Sequence, residues 1–201
     1  MATLSLDSLS GRVHLLSDDE RAVQSSVRRL VRERFLPLAA AAFEAERFPS
    51  ELVPELANLG LLGGRLHGYG CAGLSAVAYG VALEELEYGD SGLRSFVSVQ
   101  GSLVMHAIHA FGSEGQKTHF LPQLAAGQMV GCFGLTEPES GSDPSSLTTR
   151  ARRDGTDYVL DGIKHCESGM LRLEFNEKTS PGKFTLGENY IYVVMPITID
   201  A

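Results

Sequence analysis

Gly131-Cys132-Phe133-Gly134-Leu135-Thr136-Glu137-Pro138-Glu139-Ser140-Gly141-Ser142-Asp143 is where this 201-residue chain changes character. Val130 to Thr136 reads as a strand running into a loop. Glu137 to Ser146 is rich in Gly, Ser, Asp and Pro and reads as an ordered loop. Glycine has no Cβ, so such a loop lets backbone approach a flat or phosphorylated ligand closely. Its amides and its Ser and Thr hydroxyls can then donate to anionic or carbonyl oxygens. The same residue types also make a plain, tight surface turn. The spacing is neither GxGxxG nor a Walker loop, so neither mechanism is licensed.

Upstream of this stretch, to about Gln128, the apolar spacing is helical. Ser17 and Glu20 form a capping-box pattern, followed by Val23, Val27, Leu30 and Val31 at helical intervals. Pro37 is expected to end or kink that helix. Further helices are expected over about 50–59, stopped by Gly60, and over about 75–88. After the Gly89-Asp90-Ser91-Gly92 break, Asp90 or Ser91 can cap a largely apolar helix reaching Phe111. Ser113 and Gln116 open one more. Downstream, 147–153 and 158–163 read as strands joined by Asp154-Gly155, a hairpin signal. Patches at 171–175 and 190–199 bring the expectation to five short strands. The fold class is therefore α+β: an all-α helical domain over 1–128, then a truncated, β-barrel-like middle domain, partial or divergent, over 129–201.

A hydrophobic content of 43% can fill a core. A net charge of -8 argues against nucleic acid and anionic membranes as partners, while leaving room for a local basic pocket. Cys71, Cys132 and Cys166 are an odd number with no CxxC spacing, so free thiols are expected and no metal site. Met1 to Leu16 has no long apolar run, which makes a cytoplasmic location the default. His106 and His109 lie three apart in an apolar helix and read as satisfied or interfacial histidines. His67, before Gly68-Tyr69-Gly70, has no assigned role. Arg150, Arg152 and Arg153 read as a solvated face, with a ligand's phosphates as the alternative contact.

The loop sequence resembles the signature of the acyl-CoA dehydrogenase family at the start of its middle β-domain. The order of helices then strands matches as well. The chain is similar to the glutaryl-CoA dehydrogenase branch at Gly68-Tyr69-Gly70-Cys71-Ala72-Gly73, Asp90-Ser91-Gly92-Leu93-Arg94-Ser95, Ser98-Val99-Gln100, Ser102-Leu103-Val104-Met105-His106, Phe120-Leu121-Pro122-Gln123-Leu124 and Thr136 to Ser146. The resemblance covers roughly Ser17 to Lys164. It implies FAD as cofactor, an acyl-CoA substrate with glutaryl-CoA foremost, an electron-transfer flavoprotein as redox partner, and a homo-oligomer, tetrameric in the family. It also implies the mitochondrial matrix if the source is eukaryotic. Phe133, Gly134, Leu135, Thr136, Gly141 and Ser142 correspond to the flavin-contacting segment, and Ser142 would also meet the thioester arm. Arg94 would grip the distal carboxylate of a dicarboxylyl-CoA, with Ser95 adding a hydroxyl and Glu87 accompanying the arginine. A planar guanidinium suits that task because it binds carboxylates bidentately and keeps its proton. The competing reading of Arg94 is a salt bridge with Glu87 or Asp90. For Glu87 it is a surface carboxylate at a helix end.

Departures follow Lys164. The family continues there with an aromatic-aliphatic-threonine run against the flavin, whereas this chain has His165-Cys166-Glu167-Ser168-Gly169 and no tryptophan. Ser168 could keep the threonine's hydroxyl. Lys178 to Phe184 faintly resembles a later β-domain strand. The family's base, a glutamate that removes the substrate α-proton, has no match among these residues, so no catalytic residue is assigned. The isolated chain is expected to be inactive and to hold flavin weakly. The alternative function is a non-catalytic truncated paralogue that binds ligand or oligomerises. An oxidase or monooxygenase on the same scaffold is a third reading.

Overall fold

The computed structural model describes residues 11–155, 157–165, 172–175, 190–194 and 198–200. They form two compact units that meet in sequence between Gln128 and Met129.

In the first unit, helix α1 (Asp18–Leu30) starts at Ser17 with a reciprocal capping box. The Glu20 amide donates to Ser17 Oγ at 3.3 Å, and the Ser17 amide donates to Glu20 Oε2 at 2.9 Å. Two orphan donors are satisfied at once. The Ser17 amide, with the Ser75 hydroxyl bonded to Oε1, also lowers the Glu20 pKa. α1 does not end at Pro37. It passes through a wide turn, Val31–Phe35, into α2 (Leu36–Glu44). The Leu36 amide reaches back five residues to the Val31 carbonyl. Proline then falls at the start of the next helical run, where a missing N–H is tolerated.

A short turn at Ser50–Leu52 leads to α3 (Val53–Asn58), and Gly60 follows at φ 69°. A two-residue hairpin, β1 (His67–Gly68) with β2 (Cys71–Ala72), precedes α4 (Ala76–Gly89), which is capped by Ser75. α5 (Ser91–Ser98) follows. A second wide turn, Val99–Met105, joins it to α6 (His106–Phe111). α7 (Glu114–Ala125) carries the second capping box, Ser113 with Gln116.

One apolar cluster unites α1, the first wide turn, the 52–62 segment, α4 and α5. Val27, Leu30, Val31 and Phe35 meet Leu52, Leu56, Leu61, Leu62, Ala82, Leu86, Leu93 and Val97. Each buried Leu or Val contributes roughly 1.5–3 kcal/mol. α1 is also pinned to α4 by Arg28, whose Nε and Nη2 donate to the buried Glu85 at 3.0 and 2.5 Å. The buried Gln100 amide, in the second wide turn, donates to the Leu124 carbonyl at 3.2 Å.

In the second unit, β3 (Val130–Gly134) pairs in parallel with β7 (Tyr190–Val194). β4 (Arg150–Asp154), β5 (Asp157–His165), β6 (Arg172–Phe175) and β8 (Thr198–Asp200) form an open sheet in the order β6-β5-β4-β8. β4 begins at Arg150 rather than at Leu147, because the amides just before it serve the loop described below.

The expectation of three free thiols is corrected: Cys71 is free, but Cys132 is disulfide-bonded. An odd count leaves room for one bond as well as one thiol. Cys166, Ser168 and the 178–184 segment lie outside the described residues. Among the described residues no helix is long and apolar enough to cross a membrane, and no cluster of His, Cys, Asp and Glu could hold a metal ion.

Candidate functional site

The α4–α5 junction collects the residues singled out for substrate choice. α4 ends at Gly89, and Asp90 takes an extended conformation (φ -170°). The Asp90 carboxylate then accepts from the amides of Gly92 (2.7 Å) and Leu93 (3.3 Å), capping α5. This break turns the chain so that Arg94 faces back to Glu87. Arg94 Nε donates to Glu87 Oε2 at 2.8 Å, and the Ser91 hydroxyl donates to Oε1 at 2.6 Å. These two donors, Arg94 foremost, hold the Glu87 carboxyl below its ordinary range. Leu93, buried on one side of the arginine, fixes the face that α5 turns to the core.

The salt bridge with Glu87 is thus present, and it leaves capacity. The side chains of Arg94 and Glu87 are 36% and 47% exposed. Among the described residues Glu87 is the one side-chain partner of Arg94, met through Nε. Both Nη groups remain to donate to a second anion. Ser95 is half-buried beside it, with no side-chain hydrogen bond among the described residues.

The loop after β3 is a separate construction. Phe133 and Gly134 belong to the strand; Leu135 and Thr136 are half-buried; Gly141 and Ser142 are exposed at the far side of the loop. A Cβ added at Gly141 would meet nothing within 4 Å, so a ligand could approach the backbone there. Glu137 and Ser140 close the bend by exchanging backbone hydrogen bonds, both 3.0 Å. Asp143 caps the next turn by accepting from the Ser145 amide at 3.0 Å.

The element missed from sequence lies beneath this loop. The Glu137 carboxylate accepts from the Thr148 amide (2.6 Å), the Thr148 hydroxyl (2.9 Å) and the Thr149 amide (2.9 Å). Lys164 Nζ sits 3.0 Å from Glu137 Oε1 and donates to the Leu135 carbonyl at 3.0 Å. The two side chains are 0% and 3% exposed. Burial alone would push the Glu137 carboxyl up. The Thr148 amide, with Lys164 and the Thr149 amide, overcomes that and holds it far below the carboxylate range. The signals for this pair were a glutamate in the first turn of the loop and a lysine on an otherwise alternating strand. Neither type announces burial by itself.

The arrangement has two separate competences: a half-buried arginine with open donors in the helical unit, and a clamped loop with an open glycine edge in the β unit. The family description "Acyl-CoA dehydrogenase, N-terminal domain" matches residues 17–128. A glutaryl-CoA dehydrogenase from Mycobacterium smegmatis, solved in complex with FADH2, is 55% identical at a TM-score of 0.76. The match covers 78% of this chain and 41% of that one. Butyryl-CoA dehydrogenase from Megasphaera elsdenii is 32% identical at a TM-score of 0.68, covering 74% of this chain and 40% of that one. The mitochondrial short-chain specific acyl-CoA dehydrogenase of Bos taurus is 33% identical over 150 residues, which is 74% of this chain and 36% of that protein. This chain belongs to the acyl-CoA dehydrogenase family. It spans between 36% and 41% of the length of these relatives.

Proposed function

We propose that the chain is the flavin- and substrate-holding front of an FAD-dependent acyl-CoA dehydrogenase of the glutaryl-CoA type. Residues 1–128 are its N-terminal helical domain and 129–201 part of its middle β-domain. The observation that carries the substrate choice is Arg94, half-buried and held through Nε alone, in a chain that is 55% identical to a glutaryl-CoA dehydrogenase over the 78% of it that matches. A distal carboxylate would take the Nη edge, with the Ser95 hydroxyl beside it. Glu87 sets the guanidinium plane and is a positioning residue. A neutral acyl tail would leave these donors without a partner, which is how such a site discriminates.

Phe133, Gly134, Leu135, Thr136, Gly141 and Ser142 would hold FAD. The open edge at Gly141 fits close approach of a cofactor to backbone, and the Glu137–Lys164 pair keeps the loop in one shape. When bound, FAD supplies the acceptor for a hydride from the substrate β-carbon. The protein's own share is orientation at the thioester end by Ser142 and at the carboxylate end by Arg94. Removing the α-proton requires a positioned base, and none of these glutamates matches the family's base. The 201 residues therefore bind without turning over. In the complete reaction glutaryl-CoA becomes crotonyl-CoA and CO2, with electrons leaving to an electron-transfer flavoprotein and the subunits forming a homo-oligomer.

The test is a titration of the purified chain, with FAD at saturation, by glutaryl-CoA and by butyryl-CoA, followed by a dye-reduction assay. Tighter binding of glutaryl-CoA with no dye reduction is expected. Equal affinity for the two thioesters, or binding of neither, overturns the reading.

A further inference from the structure

The hairpin motif and the histidines, to which the reading above gives no role, come together in one place. A cleft of about 500 Å³ opens within the helical unit, lined by Arg65, His67, Tyr79, Ser102, His106 and His109. That volume is in the range of small-ligand sites. His106 lies roughly 18 Å beyond Arg94 along the same helical run, at about 1.5 Å per residue. The cleft is thus separate from the Glu87–Arg94 pair.

Its walls are built with strain and close packing. The β1–β2 hairpin turns through Tyr69 and Gly70, both at positive φ (51° and 80°), the sign pattern of a type I′ turn. That conformation costs an aromatic residue energy, and such strain gathers at functional sites. It is held there by contacts: the Tyr69 hydroxyl donates to Glu114 Oε1 at 2.8 Å, and its ring meets His109 edge-on at 5.9 Å. His67, at the start of the hairpin, and His109 are thereby fixed at the cleft. The helix behind it comes in close. A Cβ at Gly101 would stand 3.1 Å from the Gly63 nitrogen and 3.5 Å from the Tyr79 hydroxyl.

Tyr79 is the buried member, 8% exposed, and its hydroxyl has no hydrogen-bond partner among the described residues. Burial raises its pKa. The Ser102 hydroxyl is near enough to oppose that in part without reaching hydrogen-bond geometry. A buried donor left open is costly and asks for an acceptor. The exposed Arg65 has no ion-pair partner among the described residues. Three imidazoles add N–H donors. Donors outnumber acceptors in this cleft, and its histidines are not grouped as metal ligands.

We infer that this cleft is a binding site for a small anion, a phosphate- or carboxylate-bearing molecule whose oxygen accepts from Tyr79 while Arg65 neutralises its charge and the imidazoles offer N–H donors. The full chain is titrated with inorganic phosphate at constant ionic strength, against chloride as control, while the histidine ring signals are followed by NMR. Saturable shifts of His67, His106 and His109 are expected with phosphate and not with chloride. Arg65→Gln should weaken binding about tenfold, the worth of a charge-assisted hydrogen bond, and Tyr79→Phe about fivefold with unchanged circular dichroism. A parallel titration with glutarate decides the source: tighter binding than phosphate assigns a carboxylate ligand, and the reverse assigns a phosphate. Shifts that fail to saturate, that chloride reproduces, or that survive Arg65→Gln unaltered overturn the site. Arg94 takes no part in this cleft, so Arg94→Gln should leave the phosphate response intact, whatever becomes of glutaryl-CoA binding.

Discussion

Two of the glutamate–cation pairs among the described residues look alike in sequence and differ in every physical respect. Glu87 and Arg94 lie at a helix junction with a third to a half of each side chain in water. Glu137 and Lys164 are sealed under a loop, with four hydrogen bonds or ion contacts on the glutamate. An exposed pair adds little stability, since solvent screens it and its side chains lose entropy. Its value is that the arginine stays charged, oriented and partly unsatisfied. A buried pair has no spare donors for a ligand, and its role is to fix backbone. Exposure, rather than the presence of an ion pair, separates the group proposed to bind substrate from the structural one.

The widest gap between the two pairs should open when each loses its cation. Lys164→Ala leaves a carboxylate buried without its partner and should destabilise the β unit by about 3–5 kcal/mol in urea unfolding. A loss as small as that of a surface substitution would place the pair in solvent. Arg94→Gln should leave the urea midpoint nearly unmoved and weaken glutaryl-CoA binding roughly 10- to 100-fold, the range for a hydrogen bond to a charged group.

Acid separates the pairs next. Folding lowers the Glu137 pKa, so its contribution is fully present above the unfolded carboxylate value of about 4.3 and is lost as pH falls toward the folded one. The urea midpoint should drop as pH is taken from 5 to below 4, and Glu137→Gln should flatten that slope. Glu87 is lowered too, but it is exposed, and Glu87→Gln should leave the slope in place. The smallest effect belongs to the cap that sets the arginine's helix. Asp90→Ala should cost about 1 kcal/mol and loosen glutaryl-CoA binding less than Arg94→Gln does.

Local signals carried most of the helical unit. Ser17 with Glu20 and Ser113 with Gln116 form the expected boxes, and Asp90 caps α5, because a capping residue acts on amides two or three positions away. Pro37 is expected to end or kink the helix; the α-helix ends earlier, at Leu30, in a wide turn with no compositional mark, and Pro37 opens the next run. In the β unit the strands near 130–134, 150–154 and 157–165 were visible as alternation and a glycine turn. Their partners were not: β3 with β7 and β4 with β8 are parallel pairings across distant sequence. Thr148 and Thr149 read as strand, and their amides instead serve Glu137. Glu87 and Arg94 became meaningful through resemblance, and the salt bridge weighed as the competing reading of Arg94 is present, with Glu87 as the partner. Glu137 and Lys164 were invisible because burial of a charge depends on contacts that sequence does not list in order.

The account rests on Arg94 reading a carboxylate rather than merely joining two helices. The decisive measurement is the ratio of glutaryl-CoA to butyryl-CoA affinity for the chain and for its Arg94→Gln variant, by calorimetry with added FAD. The expected result is a ratio well above one that collapses toward one in the variant, with butyryl-CoA binding unchanged. A ratio that the substitution leaves untouched would contradict it.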